Sequence, residues 1–404
     1  MEIKSYKIKD ICSIKSGKRI PLEMDFTLDR TDHPYIRARD IKNGTISTDN
    51  LVYLEERVYQ KIKKYIIKSG DIAITIVGAS VGDVAFADSS VDGYNLTENA
   101  VRLTNFQEDA NSRFVFFQLA QKSFHDYMQT IAGAAAQPKL GIYKIERIQI
   151  ALPDKTIQER IVDVIDSYDK LIRLNNERIK LLEQMAENLY KEWFVRFRFP
   201  GHESSDFENG IPTNWIINRF SSVANIMSGG TPNTDNEEYY GGDIPFYTPK
   251  DSIENYYSLD TITKITEDGL RHCNSKLYSK DTIMITARGT VGNINLLAVP
   301  MAMNQSCYAL NSDIIHSQYF LFFMIKREIL KLQKMASGGV FDTIIVKTFD
   351  HIKVVLPPEE LINRFDAIVS PIMDTILSLV KQNSVLKIQR DLLLPRLMSG
   401  QLEV

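Results

Sequence analysis

The sequence predicts an α+β protein in which two similar mixed α/β modules are separated by two long antiparallel coiled-coil helices with a pseudo-twofold internal repeat. Three observations lead to this fold class. The chain has 404 residues, more than one ordinary core needs. Its second half nearly repeats the first. Each repeat begins with short apolar runs between turn residues and ends in a heptad pattern.

Four pairs of segments carry the repeat, in the same order in both halves. The offset within a pair falls along the chain from 212 to 204 residues, as expected for one unit duplicated and then trimmed in its loops. The pairs are Ile14–Gly17 with Ile226–Gly229, Pro34–Asp40 with Pro245–Asp251, Asp71–Gly82 with Asp281–Gly292, and Ile148–Pro153 with Ile352–Pro357.

The first part of each repeat reads as strands and turns interrupted by one amphipathic helix. The helices are expected at about Ser112–Ile131 and Ser317–Met335. The expected strands are Asp71–Val77, Val81–Ala87 and Val101–Asn105 in the first half, and Thr282–Thr286, Ile294–Ala298 and Cys307–Leu310 in the second.

The second part of each repeat is a long helix with apolar residues at alternating spacings of three and four, the seam of a coiled coil. Asn175 and Arg178 interrupt the first seam, and polar seam residues often fix register. Pro371 predicts a kink or a restart in the second helix. The seams are Ile157, Ile161, Val164, Tyr168, Leu171, Leu182, Met185 and Leu189, and then Leu361, Phe365, Ile368, Ile372, Leu379, Leu386 and Leu393.

These patterns predict four divisions of the chain. The first module spans 1–151, a central spacer helix 152–200, the second module 201–356 and a C-terminal spacer helix 357–404. From Tyr168 to Arg196 is about 28 residues, a helix of roughly 42 Å at 1.5 Å per residue. One turn of B-DNA is about 34–36 Å, so such a rod suits two half-sites separated by a gap. Protein scaffolds also use coiled coils.

Composition excludes several classes of protein. With 44% hydrophobic and 25% charged residues, the chain is neither disordered nor collagen-like. No apolar run approaches the ~18 residues of a membrane span, and the start lacks a secretory signal. Three separated cysteines (Cys12, Cys273, Cys307) predict reduced thiols in the cytoplasm and exclude a zinc site. A net charge of −3 excludes a uniformly basic DNA-coating protein.

Charge nevertheless differs between the modules. Residues 1–151 contain 21 Lys and Arg against 19 Asp and Glu, whereas residues 201–356 contain 13 against 17. The stretch Arg57–Lys68 has five cations between aromatic residues and no acid. Such a run is either a solvated face or a phosphate-binding surface, for which Lys61, Lys63 and Lys64 are the candidates.

Along essentially its whole length the chain resembles a known family, the DNA-specificity (S) subunits of type I restriction–modification enzymes. The signal is specific because several weak motifs occur in order and in duplicate. One departure is the pair Arg196 and Arg198, where many members carry acids. The motifs are LYKEWFVRFRFPGHE (189–203), RDLLLPRLMSGQLEV (390–404), the openings ICSIKSGKRIP and VANIMSGGTPN, YNLTENAVRL (94–103) and MNQSCYAL (303–310).

The resemblance implies a protein without catalysis of its own. Two target recognition domains would each read half of a bipartite asymmetric site on double-stranded DNA. The helices would space them and dock two methyltransferase (M) subunits, which use S-adenosylmethionine. Restriction/translocase (R) subunits would join for ATP- and Mg-dependent translocation and cleavage. No cofactor or metal is expected on this chain, and no membrane contact.

Candidate DNA-reading residues follow from the match of Arg or Lys to guanine and of Asn or Gln to adenine. Arg37 and Arg39 are expected on one strand face. Asp40 and Asp251 recur in the repeat, either as carboxylates bonding their own turns or as acceptors of a cytosine amine. The candidates are Lys18, Arg19, Arg37, Arg39 and Asp40 in module one, and Thr231, Asn233, Tyr247, Lys250 and Asp251 in module two.

Two further sets of candidates lie in loops. Ser80, Arg288 and Thr290 occupy glycine-rich hairpin tips, where glycine first serves turn geometry and only secondly close approach to phosphate. Gln137, Lys139, Phe341 and Thr343 lie in late loops that could equally be plain connectors. Asn304 and Gln305 could face bases or cap turns.

Two rival functions come from other classes. A methyltransferase needs an N-P-P-Y/F or D-P-P-Y tetrapeptide with a cofactor glycine motif, and neither is present. There is also no P-loop and no convincing acidic cluster with a lysine for a metal-dependent nuclease. The other rival is a coiled-coil adaptor that binds proteins at both ends. An adaptor would lack salt-dependent, sequence-selective DNA binding.

Overall fold

The computed structural model describes residues 2–133, 138–312, 315–335 and 343–404. The chain forms two compact units. Unit 1 comprises Met1–Lys170 with Lys387–Val404, and unit 2 comprises Leu171–Leu386. The mixture of sheets and long helices confirms the predicted fold class. Both unit boundaries fall inside long helices, so each long helix contributes residues to both units.

Unit 1 is built on a four-stranded antiparallel sheet in the order β2-β10-β7-β8, beside a smaller sheet β6-β3-β9. The first strand β1 pairs with β11, the strand that precedes the long helix α6. The elements are β1 Lys4–Lys7, α1 Ile8–Ile11, β2 Ser13–Ser16, β3 Pro34–Ile36, β4 Ile41–Lys42, β5 Thr45–Ile46, β6 Val52–Tyr53, α2 Glu56–Ile62, β7 Ile72–Thr75, β8 Val84–Phe86, β9 Asn95–Leu96, β10 Ala100–Thr104, α3 Ser112–Leu119, α4 Lys122–Ala132, α5 Ile142–Ile145, β11 Gln149–Leu152 and α6 Lys155–Tyr190.

Unit 2 repeats this plan. Its main sheet has the order β15-β22-β19-β20-β17, a smaller sheet is β18-β16-β21, and β14 pairs with β23 before the second long helix. The elements are β12 Phe207–Glu208, β13 Ile211–Pro212, β14 Ile216–Arg219, β15 Asn225–Ser228, β16 Tyr240–Tyr247, β17 Tyr257–Ser258, β18 Lys264–Ile265, α7 Glu267–Arg271, β19 Ile283–Thr286, β20 Ile294–Leu297, β21 Ala302–Met303, β22 Cys307–Asn311, α8 Gln318–Met335, α9 Val346–His351, β23 Lys353–Leu356 and α10 Glu359–Met398.

Strand registers follow the sequence repeat. Ser16 lies opposite Val101 in unit 1, and Ser228, 212 residues after Ser16, lies opposite Tyr308 in unit 2. The strands that flank the long helices agree as well, with Lys4 opposite Leu152 and Ile216 opposite Leu356. The main sheets therefore share one order of four strands, to which unit 2 adds β17, and the repeat read from the sequence is a structural duplication.

The helix expected at Ser112–Ile131 is two helices. Asn111 caps α3 by accepting hydrogen bonds from the backbone N–H groups of Arg113 and Phe114. After Ala120 the chain becomes extended at Gln121, and α4 begins at Lys122. The extended residue breaks the hydrogen-bond ladder, which apolar spacing alone does not reveal.

The two long helices pack antiparallel within each unit. In unit 1, Asp169 contacts Arg390, and in unit 2, Asn175 contacts Asn383. Part of each predicted seam is wrong, because Leu171 and Met185 of the first seam and Ile368 of the second are exposed. The buried positions of α6 include Ile161, Ile165, Ile172, Asn175, Ile179, Ala186 and Tyr190, and those of α10 include Leu361, Phe365, Val369, Ile372, Met373, Ile376, Leu379 and Asn383.

Helix α10 does not restart at Pro371. It runs unbroken from Glu359 to Met398, although proline donates no backbone hydrogen bond. Val369, Ile372 and Met373 are all buried around it. Packing of this apolar face stabilises the helix through a position that local propensity disfavours.

Candidate nucleic-acid interface

In unit 1 a short loop after β2 lies against the turn between β9 and β10. The backbone N–H of Lys18 donates to the carbonyl oxygen of Leu96 at 2.8 Å, and that of Gly17 to Ala100 at 3.1 Å. A Cβ on Gly17 would lie 2.0 Å from the carbonyl oxygen of Thr97, so only glycine permits this approach. We call residues 17–19 with 97–99 tip 1.

Unit 2 builds the same arrangement at the corresponding place. The N–H of Gly230 donates to the carbonyl oxygen of Met303 at 3.2 Å. A Cβ on Gly229 would lie 2.4 Å from the carbonyl oxygen of Asn304. We call residues 229–231 with 304–305 tip 2. The offsets of 212 and 207 residues match those of the flanking strands, so the two tips are equivalent.

The tips differ in the side chains that they hold. In tip 1, Nε of Arg19 donates to Oε1 of Glu98 at 2.6 Å, and this bond with the carboxylate charge raises the pKa of Arg19. Thr97 donates its hydroxyl to Oε2 of Glu98 at 3.2 Å, and the hydroxyl oxygen of Tyr35 lies 3.5 Å from the same atom. Burial raises the pKa of Tyr35 to about 12, so its hydroxyl remains a donor at neutral pH. Glu98 was not among the predicted residues.

In tip 2 the equivalent pair is uncharged. The hydroxyl of Thr231 donates to Oε1 of Gln305, and both side chains are exposed. Asn304 uses its side-chain oxygen to accept from the N–H of Ser306 at 3.0 Å, which is the turn-capping alternative. Asn233 likewise accepts from the N–H of Asp235 at 3.1 Å.

The repeated aspartates bond their own turns. Asp40 is buried and accepts from the backbone N–H of Arg37 at 2.8 Å and from its guanidinium twice at 2.9 Å. Arg37 and Arg39 do not share a strand face, because Ala38–Asp40 is a 3₁₀ turn. Asp251 is buried and accepts from the N–H groups of Thr248 and Ile262 at 2.8 and 2.7 Å. Both aspartates therefore fit the interpretation in which the carboxylate bonds its own turn, and not the one in which it accepts from a cytosine amine.

The basic stretch lies next to tip 1. Lys61, Lys63 and Lys64 are exposed at the end of α2 and in the turn after it. The following residue, Tyr65, accepts a backbone hydrogen bond from Leu96 at 2.9 Å, and its ring lies 5.9 Å from Nζ of Lys18. The basic stretch and tip 1 are therefore neighbours in unit 1.

Three of the predicted residues are buried, namely Asp40, Asp251 and Tyr247, and two others lie outside the described residues. Tyr247 is fully buried, and its hydroxyl donates to Asn295 at 2.8 Å, so it is a core residue. Gln137 and Phe341 lie outside the residues that the structure describes. Of the remainder, Ser80 is half-buried, Thr290 donates to the carbonyl of Pro249 at 3.3 Å, and the exposed candidates are Arg39, Lys139, Lys250, Arg288 and Thr343.

Two negative findings hold for the described part of the chain. No group of three or more His, Cys, Asp or Glu side chains there could hold a metal ion. No helix there is long and apolar enough to span a membrane.

Comparison with known proteins identifies the class of protein to which this chain is similar. A family model for the type I restriction modification DNA specificity domain matches residues 1–184 and 212–382. The specificity subunit of the type I restriction enzyme HindI from Haemophilus influenzae is 25% identical, with 99% of each chain covered. The MjaIX specificity subunit from Methanocaldococcus jannaschii is 23% identical, over 98% of this chain and 93% of that protein.

A solved structure agrees in fold. The type I restriction–modification S subunit from M. genitalium superimposes with a TM-score of 0.59 at 16% identity, covering 98% of this chain and 96% of its own. The matches are to a class of DNA-specificity proteins. The chain belongs to the family of type I restriction–modification DNA specificity subunits.

Proposed function

We propose that this protein reads a bipartite, asymmetric DNA site, with each module contacting one half-site. The observation that carries the proposal is the equivalence of tips 1 and 2. One backbone frame is built twice, with Gly17 and Gly229 at the same close approach, and it presents different side chains in each unit. A common frame with different polar groups is what two readers of unlike sequences require.

Exposed cations beside tip 1 support the DNA-binding part of the proposal. Lys61, Lys63 and Lys64 can neutralise phosphates, which position a protein on DNA without reading sequence. Arg19 and Gln305 are of the types that recognise base edges. Phosphate-binding and base-reading groups would then act from one surface in unit 1.

The long helices have the dimensions of a spacer. Helix α6 has 36 residues and α10 has 40, which correspond to about 54 and 60 Å at 1.5 Å per residue. We propose that they set the gap between half-sites and dock two methyltransferase subunits, and that restriction/translocase subunits join this complex in the cytoplasm. S-adenosylmethionine, ATP and Mg would bind to those partners, and this chain would have no catalysis of its own.

Module exchange tests the proposal. Residues 1–150 are replaced by the equivalent module of a relative, and methylated sites are mapped in cells that express the chimaera with its methyltransferase subunit. We expect one half of the motif to change while the other half and the gap stay as in the wild type. A simultaneous change in both halves would contradict independent reading by two modules.

The non-catalytic part has its own test. The purified, partner-free chain is incubated with DNA and labelled S-adenosylmethionine, and separately with ATP and Mg. We expect neither methyl transfer nor cleavage. Methyl transfer by the isolated chain would overturn this part of the proposal and leave the module-exchange result standing.

A further inference from the structure

The two tips hold different chemical groups in one backbone frame, and these groups match different bases. We propose that Arg19, positioned by Glu98, reads a guanine in the half-site of module one, and that Gln305, positioned by Thr231, reads an adenine at the equivalent place in the half-site of module two. The inference rests on the proposed function and adds the identity of two reading residues.

Arg19 keeps hydrogen-bond donors that can reach a base. Its side chain is 70% exposed, and Glu98 takes Nε at 2.6 Å. The end of the guanidinium, with Nη1 and Nη2, then remains as a fork of two donors. Guanine presents O6 and N7 in the major groove as two acceptors, and a bidentate arginine is the commonest specific contact to them.

Contacts around Glu98 fix the orientation of the Arg19 side chain. Oε2 of Glu98 accepts from Thr97 at 3.2 Å, while Oε1 faces Arg19. The hydroxyl of Tyr35 donates to the carbonyl oxygen of Lys18 at 2.9 Å and lies 3.5 Å from Oε2 of Glu98, so Tyr35 contacts both halves of tip 1. An arginine fixed before binding loses less side-chain entropy when it meets a base. Glu98 is therefore a positioning residue.

In tip 2 the corresponding hydrogen-bonding groups belong to Gln305. Oε1 of Gln305 accepts from the hydroxyl of Thr231 and has a second lone pair, while Nε2 keeps its two donors. One acceptor beside one donor matches N6–H and N7 of adenine, which glutamine contacts in bidentate fashion. Glutamine has only one donor nitrogen, so it cannot contact O6 and N7 of guanine side by side as the two Nη nitrogens of arginine do. The same frame would thus select different bases in the two half-sites.

The experiment transplants one tip into the other. The double variant Arg19→Thr with Glu98→Gln gives module one the side chains of tip 2. Methylated sites are mapped in cells expressing each variant with the methyltransferase subunit, and the assembled complex is tested for binding to a library of sites. We expect one position of the first half-site to change from guanine to adenine, while the second half-site is unaltered.

Single variants separate reading from positioning. Arg19→Gln is expected to reduce the preference for guanine at that position by about 5- to 150-fold, the range of one bidentate contact. Glu98→Gln is expected to broaden the same position and no other. Gln305→Ala is expected to relax one adenine in the second half-site only. The matched control is Arg147→Gln, since Arg147 is also exposed but lies in the turn before β11, and we expect it to leave the motif unchanged.

Each alternative result is decisive. If Arg19→Gln weakens binding to all sites equally, Arg19 contacts phosphate and the inference is wrong. If Glu98→Gln unfolds module one, all positions of the first half-site are lost together instead of one, which also contradicts it. If wild-type mapping shows no bipartite motif, the proposed function fails. If the motif is present and every tip variant leaves it unchanged, only the present inference fails.

Discussion

The side-chain amide of Asn175 donates to Oδ1 of Asn383 at 2.9 Å inside the apolar seam of α6 and α10. It also donates to Gln382 at 2.9 Å, and Asn383 in turn donates to Asn176. Both seam asparagines are buried. A buried polar pair in a coiled coil satisfies its hydrogen bonds in one register only, so this contact favours a single alignment of the helices.

Replacing one member of the pair tests its contribution. Asn175→Ala leaves the buried Oδ1 of Asn383 without its donor, and we expect the free energy of unfolding to fall by about 1–3 kcal/mol. Chemical denaturation measures this, with the exposed Arg178→Ala as control. The double variant Asn175→Leu with Asn383→Leu is expected to recover the stability but to broaden the gap between methylated half-sites. A loss under about 0.5 kcal/mol in the single variant would show that the pair is dispensable.

A second prediction concerns the buried ion pair of unit 1. Nη1 of Arg102 lies 2.6 Å from Oδ2 of Asp71, which also accepts from the N–H of Lys68 at 2.9 Å. Arg102→Met leaves an uncompensated buried carboxylate, and we expect a loss of about 3–5 kcal/mol in thermal or chemical unfolding of unit 1. Arg147→Met is the exposed control. Equal stability of the two variants would contradict the assignment.

A third prediction concerns pH. Burial works to raise the pKa of Glu187, but hydrogen bonds and charge from Lys191 and Lys326 outweigh it and lower the pKa from 4.5 to about 2. A depressed carboxylate pKa stabilises the folded state above the unfolded pKa, and this contribution is lost as pH falls from about 4.5 towards 2. We expect Glu187→Gln to be less stable than wild type at pH 7.

The measurement is the difference in unfolding free energy between wild type and Glu187→Gln from pH 7 to pH 3. The difference is expected to be constant above about pH 5 and to shrink below it. Glu177→Gln, on the same helix and exposed, is the control and should show little difference at any pH. A difference that grows as pH falls has the wrong sign and would refute the ion-pair explanation.

The fourth prediction is that the helices act as a ruler. Seven residues inserted between Arg173 and Lys180, with seven more between Leu379 and Leu386, keep the seam in phase and lengthen both helices by about 10.5 Å. At about 3.4 Å per base pair, the nonspecific gap should grow by about three base pairs, with the half-sites unchanged. Mapping of methylated sites measures the gap. An active complex that keeps the original gap would show that helix length does not set the distance between the half-sites.

The sequence predicts the duplication and the strands of both repeats, because the periodicity of apolar residues and the turn residues between them are local signals. It misplaced part of the α6 seam for a physical reason. Helix α6 has two apolar stripes, and the exposed one contains Leu171, Leu174, Leu181 and Met185. Periodicity shows that both stripes exist but not which one meets α10. The burial of Asn175 shows that the seam includes a residue that an apolar count disfavours.

The site was predicted less completely because its contacts are long-range. Arg19 and Gln305 were recognised as side chains able to read bases, but Glu98 lies 79 residues from Arg19 in sequence and was missed. Tyr247 is a candidate by its place in the repeat, and the sequence does not show that its hydroxyl is buried against Asn295, which lies 48 residues away. A signal was nevertheless present, since glycine at both 17 and 229 marks the close approach that joins each tip.

Unit 1 is discontinuous in sequence, and this has a consequence for biosynthesis. Leu397 and Met398 are buried in the same apolar cluster as Ile161 and Ile165. These two residues leave the ribosome only after the whole of unit 2 has been made. The nascent amino-terminal part therefore lacks these two apolar contacts throughout that interval. A premature stop after residue 386 would damage the part of the molecule that was translated first.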